Sequence, residues 1–459
     1  MKTIGAFLLL SVAACAQLKI SGNGKYLVNS SGTPVFLQAE DGWALSNELS
    51  NADADTYLID RASRGFNAIW IGAADNVYQD GAPNNNAGQA PFSGADFTNE
   101  NSAFWAHVDF IVSEAAKYGI TIFLDPGFVG LLAADGYLTS YQSSSQTVLT
   151  NYGAFLGARY KNSPNIVWVL GGDWDPSLLS VTRLGYLAAG IVSQDTNHLM
   201  TVEVCRFCTP SNQSSMDAWT ASTPIQINWV YAPYVNVQAS CASNYARSGA
   251  LPAVMGEDHY EGENGMTALT LRQEGYWGIL SGCTLGRVWG NNPIWCFDSA
   301  KAVASCNTGT TWQSALSSAG STSQQYLGQL MRSREHWKLV PDTSHAYLTG
   351  GFGSGSTLSV LARTSDGQTM IAYFSDGNAT NKMINMAGII SASSTVHAWW
   401  FNPQTSARTD LGTFPSSGTR TFTALDGNDW VLVLDDNSAS LPPPGAKPIA
   451  PIGVHMTVH

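Results

Sequence analysis

The sequence predicts an α/β protein: a (β/α)8 TIM barrel followed by a small all-β sandwich. Three features predict it. Short strands that are apolar on both faces alternate with amphipathic helices over the first three quarters of the chain. Near Ser344 this texture gives way to short alternating strands separated by Gly, Asp, Asn and Pro turns. Between them, at 164–176, one buried strand ends abruptly in Gly171-Gly172-Asp173.

That stretch anchors the reading. Asn165 to Leu170 reads as a strand covered on both sides. Gly171 and Gly172 then remove side chains where the backbone needs room, and Asp173 follows at the C-terminal end. Parallel barrels carry their active sites at this end. Asp175-Pro176 has an ordinary explanation, an N-cap and N1 pair opening the next helix. Asp173 has no such structural duty.

Taken in order, residues 18–38 read as a hairpin, and Glu40-Asp41-Gly42-Trp43 follows its second strand. A helix is expected over 52–64, closed by Gly65, and a buried strand over 66–71. The loop 73–101 is rich in Asn, Gly, Gln and Pro, and loops of that length in compact domains are usually functional. Helix 104–118 and strand 120–124, ended by Asp125-Pro126, come next, then helix 147–160 and the strand before Asp173. Helix 178–192 and the strands 199–204, 225–231 and 253–257 continue the alternation. Helix 267–280, strand 286–289 and a last helix at 323–337 complete it. About eight strands in this alternation point to a closed barrel. A doubly wound open sheet would carry a Gly-rich phosphate loop after its first strand, and Ala39 to Trp43 is not one.

Composition narrows the partners. Of 459 residues, 44% are hydrophobic and 12% charged, so a large core forms and Ser, Thr, Asn and Gly cover the surface. A net charge of -12 argues against nucleic acid or an anionic membrane. Fifteen Trp and seventeen Tyr favour a sugar ligand, whose rings stack on flat aromatic faces.

The N-terminus reads as a secretory signal, with Lys2, an apolar run from Ile4 to Val12 and an Ala14-Cys15-Ala16 site; the run is too short to span a bilayer. Val12 to Cys15 also resembles a bacterial lipobox, which would place a lipid anchor on Cys15. Strand-like sequence from Leu18 leaves little tether, which favours plain cleavage and secretion. Six other cysteines (205, 208, 241, 283, 296 and 306) suit disulfides in an exported chain, with fifteen pairings open. Cys205 and Cys208 have CxxC spacing without a second pair, which does not make a zinc site. Asn29, Asn212 and Asn378 stand in glycosylation sequons.

Several motifs, in order, carry a family likeness: Tyr57 to Arg61 with Gly65-Phe66-Asn67, His107-Val-Asp109, Ala158-Arg159-Tyr160, Asn165 to Asp173, Tyr260-Glu261-Gly262, Trp289-Gly290, Ile294-Trp295 and Leu339 to Asp342. Ala398 to Pro403 and Asp429 to Leu434 extend it into the sandwich. With these motifs the chain resembles the apiosidase-like glycoside hydrolases, whose barrel is followed by a sandwich that bears a collagen-binding name. Collagen binding is not inferred from that name. There are two departures. Glu40-Asp41-Gly42-Trp43 stands where the family tends to have Asp-Thr-Ala-Trp, and Glu203-Val204 where it usually has His on the fifth strand. Both would rim the sugar pocket and bear on which glycoside is cleaved.

The resemblance implies a secreted glycoside hydrolase acting on plant or microbial polysaccharide. The expected division is a signal peptide at 1–16, the catalytic barrel at 17–343, the sandwich at 344–436 and a disordered tail at 437–459. Glycoside hydrolysis needs two carboxylates across one bond. Asp173 ends the fourth strand, and the second group comes from Glu257, Glu261, Glu263, Glu203 or Asp125. Glu257 is preferred, because Gly256 precedes it as Gly172 precedes Asp173 and because the wider barrel clan carries its pair on strands four and seven; the clan also implies a retaining mechanism. Expected substrate contacts are Trp43, Asp125, Trp174, Glu203, Tyr231, Tyr260, Glu261, Trp289 and Trp295. No cofactor or metal is expected, since the eight His form no HxH or HExxH pair, and the protein is expected to be a monomer. The alternative is a non-catalytic carbohydrate-binding barrel, which would be expected to lose one carboxylate of the pair.

Overall fold

The computed structural model describes residues 17–131, 136–206, 214–257, 259–298, 309–379 and 381–446. The proposed signal with Cys15, the sequon at Asn212, Cys208 and Cys306 lie outside the described residues.

Eight parallel strands form the barrel: β1 (Leu37–Asp41), β2 (Ala68–Gly72), β3 (Thr121–Asp125), β4 (Ile166–Trp174), β5 (Leu199–Val204), β6 (Asn228–Val230), β7 (Ala253–Met255) and β8 (Gly286–Asn291). They run in the order β5-β4-β3-β2-β1-β8-β7-β6. The Gln226 amide donates to Met200 O at 2.9 Å where β5 meets β6, which nearly closes the ring. Period-two alternation sends Leu37, Ala39, Ala68, Trp70, Val167, Val169 and Trp229 inward, where they fill the barrel as a packed core.

Helices cover the strands: α1 (Asn51–Ser63), α2 (Ser102–Lys117), α3 (Gln146–Tyr160), α4 (Val181–Gln194), α5 (Val237–Ala246), α6 (Ala268–Leu280) and α7 (Ala319–Arg332). Six begin at a side-chain cap, from Ser50, Asn101, Ser145, Ser180, Thr267 and Ser318. One expectation fails here. Asp175 does not cap α4; its Oδ1 accepts from the Ser177 amide at 2.7 Å in a turn, and Ser180 caps the helix. Helix α5 has no strong apolar stripe and gives little signal in the sequence. The disulfide Cys241–Cys283 ties it to the segment before β8. Cys205 and Cys296 are disulfide-bonded as well.

The C-terminal region is antiparallel throughout. A six-stranded sheet, in the order Leu339–Pro341, Ser359–Thr364, Thr369–Phe374, Trp430–Asp436, Thr395–Phe401, Arg408–Pro415, accompanies a three-stranded one formed by Leu348–Gly350, Lys382–Asn385 and Thr419–Phe422. The barrel-and-sandwich fold is the one expected from the sequence.

The two parts share a wall. Helix α6 sends Leu271 toward Phe66 and Trp289 on the barrel side, and Tyr276 and Trp277 into a cluster with Tyr373, Phe401 and Val431 of the sandwich. Tyr276 stacks on Tyr373 with centroids 4.6 Å apart. Arg272 grips Asp429 by two bonds of 2.8 Å, and Arg334 grips Asp435 by bonds of 2.9 and 2.6 Å. Residues 437–446, expected to be disordered, instead lie along this seam, where Arg334 donates to Pro442 O at 3.0 Å and the Gly445 amide to Ser333 Oγ at 2.8 Å. The rest of the tail is outside the described residues.

Candidate active site

Strand β4 opens at its C-terminal end into a wide irregularity. Leu170 pairs with Val202 and Trp174 with Val204, so two more residues lie on β4 than on β5. Gly171, Gly172 and Asp173 take φ values of 110°, 67° and 52° in this bulge. A Cβ on Gly172 would lie 2.5 Å from the Phe128 ring, so the turn that presents Asp173 needs glycine. The Asp173 amide donates to Glu203 Oε2 at 3.1 Å.

Glu257 follows β7 by the same device. A Cβ on Gly256 would meet the Trp229 indole at 2.0 Å, so glycine lets the chain pass over the barrel core before the carboxylate emerges. Asp173 and Glu257 then line one cavity of about 180 Å³, with Asp41, Arg206 and Glu263 as its other charged groups. Its aromatic wall includes Trp43, Trp70, Tyr78, Phe128, Tyr231 and Trp295. Tyr260 Oη touches both Glu257 Oε1 and Asp41 Oδ2. The Arg206 guanidinium stands 5.1 Å over the Tyr231 ring and 3.8 Å from Glu263.

Burial dominates the electrostatics. It raises the Glu257 carboxyl well above its ordinary range; the charges of Asp41 and Asp173 add to this, while Tyr260 and Arg206 oppose it. Burial raises Glu203 in the same way, reinforced by Glu257 and Asp173. Asp41 is pushed up to about 7, mainly by burial, against the hydrogen bond from Tyr260. Asp125 is held up to about 8 by burial, against the 2.8 Å bond from the Gly127 amide.

Of the expected substrate contacts, Trp43, Tyr231, Tyr260 and Trp295 line the cavity. Five others do not. Trp174 is buried and donates to Leu179 O at 2.7 Å, and Trp289 packs against Phe66. Glu261 accepts from Ser318 Oγ at 2.6 Å and the Gly320 amide at 2.9 Å, which ties it to the start of α7. Asp125 lies beneath Gly172, its Oδ2 3.1 Å from a Cβ placed there. Glu203 is buried beneath the site between Asp173, whose amide it accepts, and Glu257. Sequence reasoning missed Arg206 as a pocket residue and expected Asp41 at the pocket rim only as part of the stretch after β1. Asp41 stood in the departure after β1, and Arg206 was overlooked between the two cysteines of the CxxC.

Carboxylates gathered at the C-terminal mouth of a parallel eight-stranded barrel, over a cavity walled by aromatic rings, define the glycoside hydrolase class. The particular family follows from comparison. The chain belongs to the apiosidase-like family: the profile described as "Apiosidase-like, catalytic domain" matches residues 21–338, and that described as "Putative collagen-binding domain of a collagenase" matches 341–435. A solved structure called "Glycoside hydrolase" superposes with a TM-score of 0.80 at 24% identity, over 92% of this chain and 97% of its own. A glycoside hydrolase family 5 structure from Bacteroides vulgatus ATCC 8482 gives 0.81 at 22% identity, over 93% of this chain and 95% of its own. At these identities the likeness is one of fold. No curated protein matches the chain. The protein is thus a glycoside hydrolase of the apiosidase-like family. Among the described residues no helix is long and apolar enough to cross a membrane, and no cluster of His, Cys, Asp or Glu is arranged to hold a metal ion.

Proposed function

We propose that this protein is an exported enzyme that removes single sugar residues from plant or microbial polysaccharide, with retention of configuration, using Asp173 as general acid and Glu257 as nucleophile. The observation that carries this reading is the convergence of both side chains on one cavity, each delivered by a glycine-cleared backbone. Asp173 donates its proton to the glycosidic oxygen while a Glu257 carboxylate oxygen bonds to the anomeric carbon and the aglycone leaves. Asp173, now a carboxylate, takes a proton from water. The water oxygen attacks the anomeric carbon, and the bond to Glu257 breaks. The aromatic wall stacks on the sugar and excludes other water.

The cavity, about 180 Å³, is smaller than sites for drug-sized ligands, which run from ~300 Å³. That size favours one ring and action at a chain end. Incubation with a panel of plant and microbial polysaccharides should release a monosaccharide, and NMR should show the first-formed anomer retained. In Glu257→Ala hydrolysis should vanish, and azide should restore turnover as a glycosyl azide. Inverted product would recast Glu257 as a base acting on water. Undiminished activity in Glu257→Ala would remove it from the mechanism.

A further inference from the structure

A second cleft opens at the other end of the barrel. Its volume is about 450 Å³, against about 180 Å³ for the cavity at the mouth. Leu251 and Pro252, which lead into β7, and Thr284, which precedes β8, form part of its wall. It therefore lies at the N-terminal ends of the strands, away from Asp173 and Glu257. Three aromatic rings reach it from three parts of the chain: Tyr26 from the N-terminal hairpin, Tyr245 from α5, and Trp337 from just before the first sandwich strand.

The chemistry of this wall is mixed in a particular way. Tyr245 is 39% exposed and Val340 40% exposed, so apolar surface stands open to water there. The Tyr26 and Trp337 rings are 6.4 Å apart at an interplanar angle of 43°, too tilted to cover each other's faces. Exposed Asn23, Lys25 and Ser365 rim the cleft. Lys338 is engaged by Glu335 at 2.7 Å and by Asp366 at 2.6 Å, whereas Lys25 meets no carboxylate among the described residues. A phosphate group would call for several free cations, and an apolar protein partner for a broad surface without polar breaks. Flat rings flanked by short polar groups suit a sugar, which lays its C–H face on a ring and bonds its hydroxyls at the rim. Trp337 also walls a neighbouring cleft of about 320 Å³, with Gln368 and Pro442, so the ringed surface continues along the seam between barrel and sandwich.

We propose that this cleft is a second carbohydrate-binding site, in which Tyr26, Tyr245 and Trp337 hold a polysaccharide chain while chain ends are cut at the mouth. The proposal rests on polysaccharide being the substrate. A catalytic cavity sized for one ring gives a polymer little grip. A second hold on the same polymer raises the local concentration of chain ends and strengthens attachment without a new contact at the mouth.

Affinity electrophoresis of the whole protein, in native gels cast with arabinoxylan, galactomannan, pectin or xanthan, tests this without turnover. At least one of these polymers should slow wild type. Trp337→Ala should weaken that retardation roughly three- to tenfold, the effect of losing one stacking ring. Tyr245→Ala, at an exposed position, carries the same test if Trp337→Ala fails to fold. Both variants should hydrolyse small aryl glycosides as wild type does, and for the polymer KM should rise severalfold with kcat kept. A wild type slowed by none of the four polymers would overturn the proposal. So would retardation that survives in both variants, or that is lost in Trp295→Ala at the mouth and kept in Trp337→Ala. Retardation with no sugar released from any polymer would dismiss polysaccharide hydrolysis separately, since the gels do not depend on turnover.

Discussion

The backbone amide of Asp173 donates to the Oε2 atom of Glu203 at 3.1 Å, so a carboxyl group of β5 fixes the bulge that ends β4. Burial favours the neutral form of Glu203, and a neutral acid has the same shape and acceptor as glutamine. Glu203→Gln should keep most of the activity. Glu203→Ala should lower kcat roughly ten- to hundredfold with a smaller change in KM, the effect of losing ~1–3 kcal/mol of restraint on the acid. Equal kcat values for the two variants would show that the bond does not position Asp173.

Asp173→Ala should lose turnover on glycosides with poor leaving groups and keep much of it on activated aryl glycosides, whose departure needs little protonation. A loss equal for both would assign the proton to another group.

Gly172→Ala places a Cβ 2.5 Å from the Phe128 ring at a φ of 67°. Strain and overlap of this kind cost ~1–3 kcal/mol each. The melting temperature should fall and hydrolysis should fall further, since Phe128 also walls the cavity. Unchanged hydrolysis would mean that the bulge tolerates rearrangement.

Asp125 titrates at about 8 in the folded protein, against 3.8 as its ordinary value. The raised value means that the folded state holds a proton the unfolded chain has lost. Its contribution to stability is complete below about pH 4 and declines as the pH rises through about 8, by on the order of 5 kcal/mol as a ceiling. Asp125→Asn should therefore flatten the loss of stability between those values in denaturant titrations and reduce hydrolysis only in part. A pH dependence identical to wild type would place the buried proton elsewhere.

Arg272→Ala leaves Asp429 buried without its fork, and breaking a buried pair from one side costs ~3–5 kcal/mol. Thermal stability should drop while kcat at low temperature stays close to wild type. An unchanged melting temperature would show that the apolar seam holds the two parts alone.

Much of this was legible in the sequence. Strand period and the paired signals Gly172-Asp173 and Gly256-Glu257 located the barrel mouth, because a backbone that must pass close to a core ring leaves a glycine in the text. Trp174 and Trp289 misled. A tryptophan at a strand end can face inward or outward, and a β4 bulge with two extra residues changes which side a residue takes. Glu261 misled for another reason: its partners, Ser318 and Gly320, lie more than fifty positions away, and their approach depends on where α7 docks. Asp41 was legible only as part of the stretch after β1, because its contact with Tyr260 forms when β8 closes the ring against β1.

The wall that α6 shares between barrel and sandwich bears on how such a protein can be recombined. An accessory module on a flexible linker can be moved from one enzyme to another as a cassette. This sandwich cannot travel that way, because Tyr373 and Asp429 find their partners in Tyr276 and Arg272, on a helix that belongs to the catalytic barrel. Grafted onto a foreign barrel it would present an apolar face with nothing to cover it. The two parts are best regarded as a single unit of inheritance, and a donor of this sandwich would have to supply the outward face of α6 as well.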